Sequence, residues 1–327
     1  MTTRRARSGA AAACVTLAAC ALLAIGCGGG DNTTITPLPT STPKPPGAEF
    51  SVTVALELSR LSLQAYQALA DFNDGTTFTL PAPYTLVQEL FTDEHFEGDV
   101  SIGSAVPIAF VATRDTNVYV VFRGTKTIAE WILDAQIGQV PYSLVANGGM
   151  TEQGFTRVYE SIHAMLLQTV NTVASAGSFT QLYVTGHSLG GALALLAVPE
   201  LIDNTPFKQP IMYSFAGPFT GNARFADLYD SLIGDSWRVV NTNDIVPKLP
   251  KSPVVIVTPT PAIFFYEPVN TEYAITFGTP ITDPLDITGI ANNHSLCNYY
   301  NTLCGQTTDP QACMAMAGGA DGCNATP

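Results

Sequence analysis

An α/β fold on a mainly parallel central sheet is predicted by three features of this chain. Apolar strand-like runs alternate with helical stretches, one such run feeds directly into Gly186-His187-Ser188-Leu189-Gly190, and that pentapeptide opens onto the helix-forming Ala192-Leu193-Ala194-Leu195-Leu196-Ala197. A G-x-S-x-G between strand and helix has the form of a nucleophile elbow. Its serine occupies strained backbone with other backbone packed close on both sides, so the flanking positions tolerate almost no side chain. The amides at the start of the following helix favour negative charge developing at the same place.

The chain begins with a basic Met1 to Arg7 and an alanine-rich apolar run from Ala10 to Ile25, which reads as a bacterial export signal over residues 1–26. Ala24-Ile25-Gly26-Cys27 resembles a lipobox, after which the cysteine becomes the lipidated first residue, so Cys27 is the expected anchor to a membrane. Leu17-Ala18-Ala19-Cys20 has the same form, but cleavage there would leave an apolar tail from Ala21 to Ile25. An uncleaved span is the alternative, since the run approaches the ~18 apolar residues a membrane-crossing helix needs. Residues 27–48, with Thr33, Thr34, Pro37, Pro39, Pro43, Pro45 and Pro46, cannot bury a core and are expected to be an extended spacer.

Residues 49–327 are expected to form one enzyme-sized domain. Leu56, Leu58, Leu61, Leu63, Tyr66 and Leu69 recur at near-helical spacing and predict an opening amphipathic helix. Val118 to Phe122 predicts a buried strand, Ile162 to Val173 a helix, and Leu182 to Val184 the strand before the elbow. Ile211 to Phe215 and Trp237 to Val240 predict two more strands. In such sheets functional groups gather at the carboxyl ends of the strands.

The net charge is −13, and residues 1–26 carry three arginines and no acid, so the remainder carries −16. That excludes nucleic acid as a partner, because phosphates need a basic footprint. It also argues against electrostatic attachment to anionic lipid. Beyond the leader and Cys27 stand Cys297, Cys304, Cys313 and Cys323, an even set expected to staple a Cys-rich tail over 297–327 through two disulfides. Sequence leaves all three pairings open. A metal site is disfavoured because no C-x-x-C pair occurs and His294 is the one nearby histidine. No metal or organic cofactor is implied.

A serine hydroxyl becomes nucleophilic when an imidazole takes its proton and a carboxylate holds that imidazole. His187 precedes Ser188 within the elbow, where adjacent side chains diverge, and His95 and His163 lie earlier in the chain. His294 is the only histidine after the serine, in the loop-like Ala291-Asn292-Asn293-His294-Ser295. Asp244 leaves the Val239-Val240 strand within Asn241-Thr242-Asn243-Asp244, which places it best among the later acids, although an Asn/Asp cluster before proline is also ordinary turn chemistry. Asp203, Asp227, Asp230 and Asp235 fall in helix or turn contexts, and Asp283 and Asp286 in a loop.

Phe122-Arg123-Gly124-Thr125, Gly186 through Ala192, Gly217 with Gly221-Asn222 and Phe225, Asn243 through Pro247 with Leu249-Pro250, and His294 together resemble the successive motifs of the class 3, or fungal-type, triacylglycerol lipases, in that family's order from Phe50 to Tyr300. The resemblance implies an α/β-hydrolase fold and an ester hydrolase with lipid or ester substrate. It implies Ser188 as nucleophile, Asp244 as orienting acid and His294 as base. It further implies an oxyanion hole from the Thr125 amide and hydroxyl with the Leu189 amide, Asp134 as the acid holding that hydroxyl, and a lid helix carrying Ile128, Trp131 and Ile132. Those three at helical spacing equally suit permanent core. Glu152, Phe219 and Tyr266-Glu267-Pro268 depart from the family's pattern. None touches the triad, but they leave the ester open, since relatives on this scaffold include feruloyl esterases and phospholipid hydrolases. An inactive surface-binding lipoprotein is the alternative from another class.

Overall fold

The computed structural model describes residues 47–93, 105–125, 138–256, 261–269, 271–283, 286–317 and 323. The export signal, Cys27, the spacer apart from Gly47 and Ala48, Ile128, Trp131, Ile132 and Asp134 lie outside them. Among the described residues no helix is long and apolar enough to cross a membrane.

The core is a seven-stranded sheet of β1 (Thr85–Thr92), β2 (Val106–Arg114), β3 (Asn117–Phe122), β6 (Gln181–His187), β7 (Ile211–Phe215), β8 (Ser236–Asn241) and β11 (Thr271–Ile275), lying side by side in that order. β1, β2 and β3 pair antiparallel, and each remaining neighbour pairs parallel. Strands β3 and β6 are buried nearly throughout, hence their continuous apolar runs rather than a two-residue alternation. Two short hairpins, β4 (Gln139–Pro141) with β5 (Met150–Glu152) and β9 (Val254–Ile256) with β10 (Ala262–Phe264), stand outside the sheet.

Helices cover both faces. On one, α2 (Gln153–Ala176), α3 (Leu189–Asn204) and α4 (Ala223–Leu232) pack on Val118, Val120, Leu182 and Val184. On the other, α1 (Val52–Asn73), α6 (Leu296–Cys304) and α7 (Pro310–Ala315) pack on Phe110, Tyr119, Val121 and Tyr213. The short α5 (Ile287–His294) leads into α6. Start signals are local: Ser51, Asn222, Asp286 and Asp309 each accept a bond from a backbone amide of the helix they open.

Two disulfides hold the C-terminal tail, Cys297–Cys323 and Cys304–Cys313. The second joins α6 to α7.

Strand register decides which loops meet. In the parallel β3–β6 pair Phe122 lies opposite Gly186, and in β6–β7 His187 lies opposite Phe215. The segments leaving β3, β6, β7 and β8 therefore emerge together at the carboxyl edge of the sheet, the expected place for a site in a fold of this kind.

Candidate active site

Ser188 joins β6 to α3 at φ 58° and ψ −125°, a conformation a non-glycine residue adopts only when its surroundings enforce it. Its amide donates to the Phe215 carbonyl at 2.9 Å and its own carbonyl accepts from Gly191 at 2.9 Å, so the turn is held from both neighbours. The flanking glycines are required sterically. A Cβ at Gly186 would overlap the Gly190 carbonyl, and one at Gly190 would overlap the Phe122 carbonyl.

Asp244 is fully buried three residues beyond β8. Its Oδ2 accepts from His294 Nδ1 at 2.8 Å and from the Tyr299 hydroxyl at 2.9 Å. Its Oδ1 accepts from the Val246 amide at 3.0 Å. His294 itself is 4 % exposed. With Nδ1 committed to the carboxylate, Nε2 has no hydrogen-bond partner among the described residues, and neither does Ser188 Oγ, which is buried as well. Residues 291–294 are helical rather than the loop that their sequence suggests: His294 is the last residue of α5, whose start Asp286 fixes by accepting from Gly289 at 2.9 Å.

A set of asparagines clamps the acid segment to the histidine segment. The Asn241 side chain donates Nδ2 to the Asn293 carbonyl at 3.0 Å, and Asn293 Nδ2 donates to the carbonyls of Asn243 at 3.1 Å and Thr279 at 2.7 Å. The Tyr299 hydroxyl accepts from the Asn241 backbone amide at 2.8 Å while donating to Asp244. Burial, with Asp244 adding its negative charge, drives the Tyr299 pKa far above its ordinary value, so it remains a donor at all working pH.

Thr125 follows β3, is 7 % exposed, and its hydroxyl has no partner among the described residues. The nearby Arg123 is buried and donates Nε to the Pro107 carbonyl at 2.9 Å and Nη1 to the Gly124 carbonyl at 2.6 Å, bracing this segment against β2. Leu189 opens α3, and as the helix's first amide its N–H has no intrahelical acceptor. The structure thus brings Ser188, Leu189, Thr125, Asp244 and His294 to one edge of the sheet. Among the competing acids and histidines it places Asp227 and Asp230 on α4, and His163 on α2 against Glu200, 2.9 Å away. Tyr66 and Tyr299 belong to the site and carry no sequence signal of it beyond Tyr66's place in the periodic helix. Chemically, the arrangement holds an imidazole with one nitrogen tied to a carboxylate and the other ready to take a proton from a hydroxyl.

Residues 119–253 match the family described as Lipase (class 3). The chain is 34 % identical over 210 residues to "Lipase ZK262.3" of Caenorhabditis elegans, covering 63 % of this chain and 57 % of that protein. It is 31 % identical over 200 residues to "Secreted mono- and diacylglycerol lipase 1" of Fusarium solani, covering 60 % and 54 % respectively. The alignments thus span little more than half the length of these relatives. Among solved structures, the native propeptide complex of Rhizomucor miehei lipase superposes with a TM-score of 0.56 at 26 % identity, covering 79 % of this chain and 81 % of that one. The fold is that of the α/β-hydrolases.

Proposed function

We infer that this chain is a lipase-type serine carboxylic-ester hydrolase working through an acyl-enzyme. The observation that carries the reading is the pair of buried atoms Ser188 Oγ and His294 Nε2 at one sheet edge, both without a partner among the described residues, with the other ring nitrogen of His294 held by a buried carboxylate. In this mechanism Ser188 Oγ attacks the ester carbonyl as its proton passes to His294 Nε2. The negative carbonyl oxygen is stabilised by the Leu189 and Thr125 amides and the Thr125 hydroxyl, donors of which one alone is worth ~10²-fold or more in rate. His294 returns the proton to the leaving alcohol. Water then enters, gives a proton to His294 as its oxygen attacks the acyl carbonyl, and His294 passes that proton to Ser188 Oγ as the acid departs. Asp244 stays ionised throughout and stabilises the imidazolium.

Glycerolipid is the favoured substrate class, supported by relatives whose names record lipase and mono- and diacylglycerol lipase activity. The same reading includes Asp134 as the acid behind Thr125, and Ile128, Trp131 and Ile132 as a lid face. It also includes export, supported by relatives named as secreted, with retention at a membrane through lipidated Cys27.

Fluorophosphonate labelling of the wild type, abolished in Ser188→Ala, tests the chemistry. A folded wild type that takes no label overturns it. A panel of p-nitrophenyl esters beside an emulsified triglyceride tests the substrate class, and a rate that does not rise on emulsion formation argues against an operating lid. Loss of fatty-acid labelling in Cys27→Ala is expected; persistent labelling removes the anchor.

A further inference from the structure

His187 sits one residue before Ser188, yet its ring reaches a segment 107 residues away: Nε2 lies 2.8 Å from the backbone oxygen of His294. Its other nitrogen, Nδ1, lies 2.7 Å from the Tyr66 hydroxyl, contributed by α1. A carbonyl oxygen only accepts, so Nε2 carries a proton. The ring is almost wholly buried and its centroid is 4.7 Å from that of His294. Burial first, and the neighbouring imidazole second, hold its pKa well below the usual histidine value. His187 is therefore neutral, and Nδ1 accepts from the Tyr66 O–H.

Two further observations show that space is reserved for this arrangement. A Cβ at Gly124 would overlap the Tyr66 hydroxyl and stand 2.7 Å from the His187 carbonyl oxygen, so the segment bearing Thr125 passes closely over the pair. His294 ends α5, where the last carbonyls have no intrahelical donor, and His187 supplies one.

We infer that His187 is a positioning residue for the proposed reaction: the chain Tyr66 O–H to Nδ1, then Nε2–H to the His294 carbonyl, ties the backbone of the general base to the elbow that carries the nucleophile. Asp244 fixes the far side of the His294 ring, while His187 fixes its main chain, so Nε2 and Ser188 Oγ keep a constant separation. Displacement of a reacting group by about 1 Å costs on the order of 10²-fold in rate, which is the scale of the tether's effect. The inference rests on Ser188 and His294 acting as nucleophile and base.

The test is steady-state hydrolysis of p-nitrophenyl butyrate by the full chain, with fluorophosphonate labelling rates and melting temperatures recorded alongside. His187→Ala is expected to lower kcat on the order of 10²-fold with KM nearly unchanged. His187→Gln places an amide N–H where Nε2–H stood and is expected to recover at least about tenfold of that loss, which a purely structural role would not produce at equal melting temperature. Tyr66→Phe frees Nδ1 to hold the proton and turns a lone pair toward the carbonyl, so an intermediate loss is expected. Should His187→Ala fail to fold, the comparison of the folded His187→Gln and Tyr66→Phe variants with wild type decides. A folded His187→Ala with wild-type kcat, or a glutamine variant no faster than alanine, overturns the inference while the ester-hydrolase reading stands. A wild type that neither labels nor hydrolyses any ester overturns both.

Discussion

The Tyr299 hydroxyl and the His294 imidazole share one oxygen: Asp244 Oδ2 accepts from the first at 2.9 Å and from the second at 2.8 Å. Tyr299 is also the acceptor for the buried Asn241 amide at 2.8 Å. Tyr299→Phe removes one donor from the carboxylate and strands that amide. A loss of about 1–3 kcal/mol in unfolding free energy is expected, since a buried amide without a partner costs its full desolvation. Denaturant unfolding measures it. Asp244 keeps its charge and its bond to His294, so kcat is expected to fall by less than about tenfold; an unchanged stability would remove Tyr299 from the network.

Asp244→Asn keeps shape but replaces an acceptor by an amide. Its nitrogen, turned toward His294, forces the proton onto Nε2, the atom that accepts from Ser188 in the proposed reaction. A drop in kcat of roughly 10³–10⁴-fold with near-wild-type KM is the expected outcome in ester hydrolysis. A modest loss would mean that His294 is held in its tautomer by something other than Asp244.

The elbow is legible in sequence because its demands are local. Gly186 and Gly190 are imposed by backbone within a few residues or on the next strand, and the run into and out of the turn identifies strand and helix. Asp244 and His294 are identifiable by chain order and family likeness, but the asparagine clamp between them is not, since Asn241, Asn243 and Asn293 look like ordinary turn residues until their carbonyl partners are known. Tyr66 and Tyr299 are invisible for the same reason: their bonds run 121 and 55 residues along the chain. Strand β11 escapes because most of Thr271–Ile275 is exposed, which leaves no apolar pattern. The helical end of α5 escapes because Asn292 and Asn293 are poor helix formers, and the Asp286 cap outweighs them.

Glu152 accepts from the Phe155 amide at 2.6 Å at the head of α2 and is 4 % exposed. Burial pushes its pKa up to about 7, above the ordinary carboxylate range, with the Phe155 and Gly154 amides opposing the rise. The folded state therefore binds this proton at pH values where the unfolded chain has already released it. Stability is fully present below about pH 4, falls as pH rises toward 7, and then levels off, by an amount on the order of 3 kcal/mol. Glu152→Gln preserves the acceptor for Phe155 without the charge. Unfolding free energies at pH 5 and pH 8 are expected to differ less in this variant than in wild type, and an equal difference would assign the slope elsewhere.

Cys297–Cys323 closes 26 residues and Cys304–Cys313 closes 9. Loop-closure entropy in the unfolded chain scales with the logarithm of that length, so the longer bridge is expected to contribute about 3.5 kcal/mol and the shorter about 2.6. Both lie on or beside α6, which carries Tyr299 onto Asp244. Cys297→Ser/Cys323→Ser should therefore lower the melting temperature more than Cys304→Ser/Cys313→Ser does. Below their melting temperatures both pairs are expected to keep wild-type KM. If the order is reversed, the bridge from α6 to α7 stabilises the native packing of Tyr300, whose hydroxyl donates to the Cys313 carbonyl at 2.6 Å, more than it restricts the unfolded chain. Adding Tyr300→Phe to each background separates the two accounts, because only native packing makes its effect depend on the Cys304–Cys313 bridge.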